Sequence, residues 1–154
     1  MNLRVELVRG DNDRERPRAV RTGIDRVELD EFQHTVDVAG SRFLDRVFTS
    51  EELAFSAGRV ERLAGRFAAK EAVVKVLGTG FRGIASCEVE ITTAPEGQPG
   101  VVLHGRARRR AEDLNITSLA VSITHTKQCA VAVAVGLCTD IPTHLSPGEE
   151  KHHA

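Results

Sequence analysis

Hydrophobic and polar positions along the chain mark out a run of short elements with different periods. Ala19-Val20-Arg21-Thr22-Gly23-Ile24-Asp25-Arg26-Val27-Glu28-Leu29 reads as a strand that gives way to a helix carried by Leu29, Phe32 and Val36. Ser41 to Phe48 is a short amphipathic stretch with Phe43, Val47 and Phe48 apolar. Thr49-Ser50-Glu51-Glu52 then has the S/T-x-x-E order of a capping box and predicts a helix through Leu53 and Phe55. Leu63 to Leu77 is rich in alanine, free of proline and closed by Gly78-Thr79-Gly80, which predicts a central helix stopped at glycine. The second half changes to β patterning. Cys87 to Thr92 alternates with period two, Pro95 to Gly100 is a turn, and Val101 to His104 is the partner strand. Arg106 to Asn115 predicts a helix with Ala107, Ala111 and Leu114 inward. Leu119 to Thr124 and Gln128 to Leu137 read as two strands, hairpin-paired around His125-Thr126-Lys127. The near-continuous apolar run of the latter predicts a strand buried on both faces.

On the central helix Leu63, Phe67, Val74 and Leu77 form one apolar stripe, and the charges fall in unexpected places. Glu71 stands at the edge of the stripe beside Phe67 and Val74. Lys75 lies one turn further on the same face, and Lys70 sits nearly inside the stripe. A carboxylate half-immersed in apolar surroundings is costly unless a cation balances it, which makes Glu71 a candidate for chemistry. The same spacing also suits a solvated surface pair. Lys70 reads either as a snorkelling stem or as a second cation at the site. Asp25 has two compatible readings, a helix N-cap or a metal ligand presented at the end of a strand.

Composition narrows the classes. The 154 residues fit one domain, bracketed by a charged extension over 1–18 and a polar tail over 140–154 expected to be disordered. A formal net charge of -1 and the absence of Trp and Tyr argue against generic nucleic-acid or membrane binding. Cys87, Cys129 and Cys138 are widely spaced and form no CxxC pair, which suits free thiols in a reducing cytoplasm. The start of the chain lacks the apolar core of a signal peptide, and no apolar run reaches the roughly 18 residues of a membrane span. Arg42, Arg46 and Arg59 suit either solvent or an acidic protein partner.

Asp25 and Glu71 supply carboxylates, Lys75 and His125 potential cations, and Gly78-Thr79-Gly80 backbone donors. Two carboxylates with few soft ligands suit magnesium, which takes phosphate oxygens as further ligands. This is an inventory for phosphoryl transfer from a pyrophosphate.

The ordered motifs resemble the holo-acyl-carrier-protein synthase family, small 4′-phosphopantetheinyl transferases. They are Gly23-Ile24-Asp25-Arg26-Val27-Glu28-Leu29, Arg46 to Leu53, Leu63 to Ala72 leading into Lys75 and Leu77-Gly78-Thr79-Gly80, and Val121 to Lys127. The resemblance runs from about Arg21 to Leu137. It implies an α+β fold, helices packed on a largely antiparallel sheet, and a homotrimer with the site at each subunit boundary. It also implies transfer of the 4′-phosphopantetheine arm of coenzyme A to a serine of an apo acyl carrier protein. By that analogy Asp25 and Glu71 hold magnesium, and Lys75 sits against the phosphates and helps 3′,5′-ADP depart. His125 and Thr126 contact the nucleotide, with Arg66 and the Gly78-Thr79-Gly80 backbone positioning phosphate and adenosine. Either Glu71 or a magnesium-bound water takes the serine proton.

The chain departs from the family pattern at Glu31, where a basic residue often touches the acidic carrier, at Arg26, and at Cys129. These departures bear on docking rather than on the metal ligands, and leave open a carrier of fatty-acid or of polyketide synthesis. Two competing readings are a non-catalytic carrier-protein or nucleotide-binding module of the same fold, and a magnesium-dependent pyrophosphatase.

Overall fold

The computed structural model describes residues 19–139. The expected extension over 1–18 and tail over 140–154 lie outside the described residues. Strands β1 (Ala19–Glu28), β4 (Ile116–His125) and β5 (Cys129–Cys138) form an antiparallel sheet in the order β1-β5-β4. The hairpin β2 (Val89–Thr93) and β3 (Pro99–Leu103) forms a second, two-stranded sheet. Four helices complete the described residues: α1 (Leu29–Val47), α2 (Ser50–Ser56), α3 (Val60–Leu77) and α4 (Gly105–Asp113). The architecture is α+β, as the resemblance implies. No helix among the described residues is long and apolar enough to cross a membrane.

Helix α3 lies across one face of the larger sheet, and small residues set how close it comes. Ala130, Ala132 and Ala134 of β5 are buried against a helix face that offers Ala64, Ala68, Ala69 and Ala72. A Cβ at Gly23 of β1 would run into the Ala72 carbonyl, so glycine lets strand backbone and helix backbone touch. Phe32 of α1 packs at 5.6 Å from the Phe67 ring, with Phe43 and Phe48 around it, and fastens α1 to α3.

Local signals in the sequence are realised closely. Thr49 caps α2 by accepting from the Glu52 amide, while the Glu52 side chain accepts from the Thr49 amide. Gly78 ends α3 in the left-handed conformation at φ 72°. Three expectations change. Residues Ser86–Glu88 form a 3-10 turn ahead of β2 rather than part of the strand. Ser41 to Phe48 continues α1 beyond a kink at Gly40, whose φ of 63° only glycine adopts at low cost. Strand β5 is buried on one face alone: its alanines face α3, while Val131, Val133 and Val135 point to the opposite side and Val133 is 39% exposed.

Candidate active site

Asp25, Glu71 and Lys75 come together where β1 crosses α3. Period-two alternation puts Asp25 on the same side of β1 as Gly23 and Val27, the side that faces the helix. From α3, Lys75 Nζ donates to Asp25 Oδ1 at 2.8 Å and to the Ile24 carbonyl at 2.5 Å. The N-cap of α1 is Glu28, which forms no side-chain cap, so Asp25 is not the helix cap it resembled. Glu71 lies beside Asp25 in a cleft of about 430 Å³ lined also by Glu28, Glu31, Phe32, Phe43 and Phe67.

Burial pushes the Glu71 carboxyl above its ordinary pKa, and the negative charge of Asp25 pushes it further; Lys75 opposes both only in part. One ammonium thus serves two carboxylates, and it is bonded to the other one. Such a pair is short of positive charge, which fits a hard divalent cation bound by one or two carboxylates and completed by water or phosphate. No group of three or more His, Cys, Asp or Glu side chains converges among the described residues.

The remaining candidates stand apart from that cleft. His125 ends β4, the opposite edge of the sheet from β1, with Ala130 of β5 between it and Val27. It lines a cleft of about 620 Å³ with Asp30, Glu61, Thr126 and Lys127, and a smaller one of about 150 Å³ with Arg62, Arg66 and Thr93. Arg66 is buried, donates to Thr93 Oγ1 at 2.7 Å, and lies 4.2 Å over the Phe55 ring. Its Nε has no partner among the described residues. The Thr126 hydroxyl accepts from the Gln128 and Cys129 amides at 3.1 and 3.2 Å, which shapes the hairpin turn. The Gly78 amide is committed to the helix cap through the Val74 and Lys75 carbonyls, leaving Thr79 and Gly80 as the free part of that loop. Within one chain, then, the structure unites Asp25, Glu71 and Lys75 but holds Arg66, His125 and Thr126 on another flank of α3.

Some residues at this helix escaped sequence reasoning. Arg21 and Arg110 donate to the Val76 and Leu77 carbonyls at 2.6 and 3.1 Å, placing two guanidinium groups at the negative end of α3 beside the glycine loop. Lys70 is neither a snorkelling stem nor a second cation at the site. It is fully buried and paired with Glu52 at 2.7 Å, a partner hidden behind that residue's capping role.

Fold and site together define a class: a small α+β enzyme domain with a half-buried carboxylate pair and a lysine in an open cleft. Residues 21–134 match the 4′-phosphopantetheinyl transferase superfamily. A holo-[acyl-carrier-protein] synthase of Solidesulfovibrio magneticus is 47% identical over 115 residues, 73% of this chain and 94% of that protein. One from Solibacter usitatus is 41% identical over 117 residues, 73% of this chain and 94% of that one. The crystal structure of the Helicobacter pylori holo-[acyl-carrier-protein] synthase in complex with coenzyme A superposes with a TM-score of 0.69 at 29% identity. That match covers 75% of this chain and 98% of that one. The chain belongs to the 4′-phosphopantetheinyl transferase superfamily, in its holo-[acyl-carrier-protein] synthase family, and is an enzyme.

Proposed function

We propose that the chain transfers the 4′-phosphopantetheine arm of coenzyme A to a serine of an apo acyl carrier protein, with magnesium, and releases 3′,5′-ADP. The observation that carries the reading is the Asp25–Glu71–Lys75 constellation, two carboxylates sharing too little positive charge where β1 crosses a helix whose C-terminal end gathers arginines. The serine oxygen bonds to the phosphorus that carries the pantetheine arm, and the bond from that phosphorus to the 3′,5′-ADP oxygen breaks. The serine proton passes to Glu71 or to a water beside it. Asp25 and Glu71 would hold magnesium, which supplies charge neutralisation on the pyrophosphate oxygens. Lys75 leaves Asp25 for the phosphates and offsets the charge of the departing ADP. Arg66, Thr79, Gly80, His125 and Thr126 position the nucleotide.

The same reading makes the working form a homotrimer. The sheet face away from α3 presents Val20 and Ile24 at 61% and 60% exposure, together with Val133, a row of β-branched residues that a monomer leaves in water. Covering that face with neighbouring copies buries the second side of β5. It also supports joining the His125 flank of one copy to the Asp25–Glu71 cleft of another, since the two lie at opposite edges of one sheet. The three free cysteines, Cys87, Cys129 and Cys138, suit a cytoplasmic enzyme.

Incubation with coenzyme A, magnesium and apo carrier proteins of fatty-acid and polyketide type tests the reading by intact-mass measurement. The carrier is expected to gain the mass of the phosphopantetheine arm, and an unchanged mass on every carrier overturns the reading. Release of nucleotide without any acceptor would instead identify a pyrophosphatase.

A further inference from the structure

Helix α3 is buried around almost its whole circumference, with Leu63, Ala64, Ala68, Ala69, Ala72, Val73, Val74 and Val76 all shielded. Apolar burial of that kind attracts the helix to its neighbours but selects its rotation weakly, because one small apolar residue replaces another at little cost. Its N-terminus adds nothing directional, since Arg59 makes no side-chain cap. Yet the helix carries Glu71 on one flank and Arg66 on another, and a turn of a few degrees about its axis would misplace both.

One buried polar network spans the elements concerned. The three protons of the Lys70 ammonium go to Glu52 Oε2 at 2.7 Å, the Ser86 carbonyl at 3.1 Å and the Val89 carbonyl at 2.6 Å. Glu52 completes the set by accepting from the Ile91 amide at 2.9 Å and the Thr49 amide at 2.8 Å. Two charges are therefore fully partnered at a point where α2, α3 and the start of β2 meet. Hydrogen bonds of this kind are directional, and buried polar groups act best as registry devices. Strand β2 also carries Thr93, the hydrogen-bond partner of Arg66, so the same network ties the Arg66 flank to the helix. Lys70 lines none of the three clefts described above and has no proton left to give, which excludes it as an acid or base in the reaction.

We propose that the Glu52–Lys70 pair is a positioning device: it sets the height and rotation of α3 and thereby holds Glu71 against Asp25 and Arg66 against Thr93 at once. One readout rests on the proposed transferase reaction; a second does not.

The test uses the double variant Glu52→Gln/Lys70→Met, which removes both charges together and so leaves no buried ion unpaired. Its thermal midpoint is expected to fall, because the Ser86 and Val89 carbonyls lose their donor, so kcat is read below the variant's own transition. Its kcat is expected to fall about tenfold or more with the KM for the carrier unchanged, as a shift near 1 Å at the reacting groups can cost. A folded double variant with wild-type kcat overturns the proposal and leaves the pair as a structural strut. Should the double variant not fold, Glu52→Asp decides: it keeps the charge but shortens the reach, and a severalfold loss of kcat supports the proposal where an unchanged kcat overturns it. Absence of transfer by the wild-type chain is a failure of the proposed function. The crystal structure of a folded variant then decides alone: the proposal requires the buried Arg66–Thr93 hydrogen bond, 2.7 Å in the parent, to be displaced, and its retention overturns the proposal.

Discussion

The described residues contain two glutamate–lysine assemblies, one joining α2 to α3 and one within α3, and they have opposite fates. Glu52 and Lys70 are sealed from water, with amides and carbonyls satisfying what the ion pair leaves over. Glu71 lines an open cleft with Asp25, while the exposed Lys75 bonds Asp25 instead and the glutamate is left with a raised pKa. A closed set of partners turns charge into architecture. An incomplete set leaves charge free to meet a ligand, and that is the physical difference between a strut and a reaction centre.

The largest expected effect breaks the open assembly alone. Glu71→Gln should lower carrier labelling by at least about a hundredfold while circular dichroism stays that of the parent, because on the proposed function a metal ligand goes and no packing does. Labelling at the parent rate would remove Glu71 from the chemistry.

Breaking the sealed assembly on one side should act first on the fold. Lys70→Met leaves Glu52 buried without its cation and should cost about 3–5 kcal/mol of folding stability, read from urea unfolding. A loss below about 1 kcal/mol would mean that water reaches Glu52.

The two assemblies should also differ in their dependence on a neighbouring copy. Val133→Lys places a charge on the exposed sheet face and should convert a trimer to monomers in sedimentation, with labelling reduced about tenfold or more. The sealed network lies inside one chain, so the monomer should keep a cooperative thermal transition. A monomer that labels at the full rate would confine the whole site to one chain.

The smallest effect sharpens the comparison through pH. A carboxyl whose folded pKa is raised binds more protons folded than unfolded between the ordinary and the raised value. Stability therefore falls as pH rises through that window, and above it the full loss is present. In metal-free buffer Glu71→Gln should accordingly melt higher than the parent at neutral pH, with the gap closing as pH drops below the ordinary carboxylate range. Magnesium with coenzyme A should raise the parent's midpoint and not the variant's. A gap independent of pH would contradict the raised pKa.

What the sequence disclosed follows the range of the interactions. Thr49 with Glu52 and Gly78 after Leu77 are decided within one helical turn, so their roles were legible without a partner. Asp25, Glu71 and Lys75 were legible through ordered motifs, and the fold brings them together across β1 and α3. Glu52 was concealed by its own legibility: the cap already explained it, and its bond to Lys70 joins residues 18 positions apart in the chain. The run from Gln128 to Leu137 announced an apolar strand, but hydrophobicity records the wish for cover and not its source. Within one chain α3 covers only the alanine side. The kink in α1 rests on the single left-handed residue Gly40.

Gly23 bears on how the site moves. With strand and helix in backbone contact at Ala72, the two carboxylates ride on one rigid body. On the proposed function, admitting a cation and a phosphate then calls for no loop to open. Only the half-exposed Lys75 side chain must swing away from Asp25, a rotamer change of picoseconds to nanoseconds rather than the microseconds to milliseconds of a lid. On the proposed function the gate is a single flexible stem.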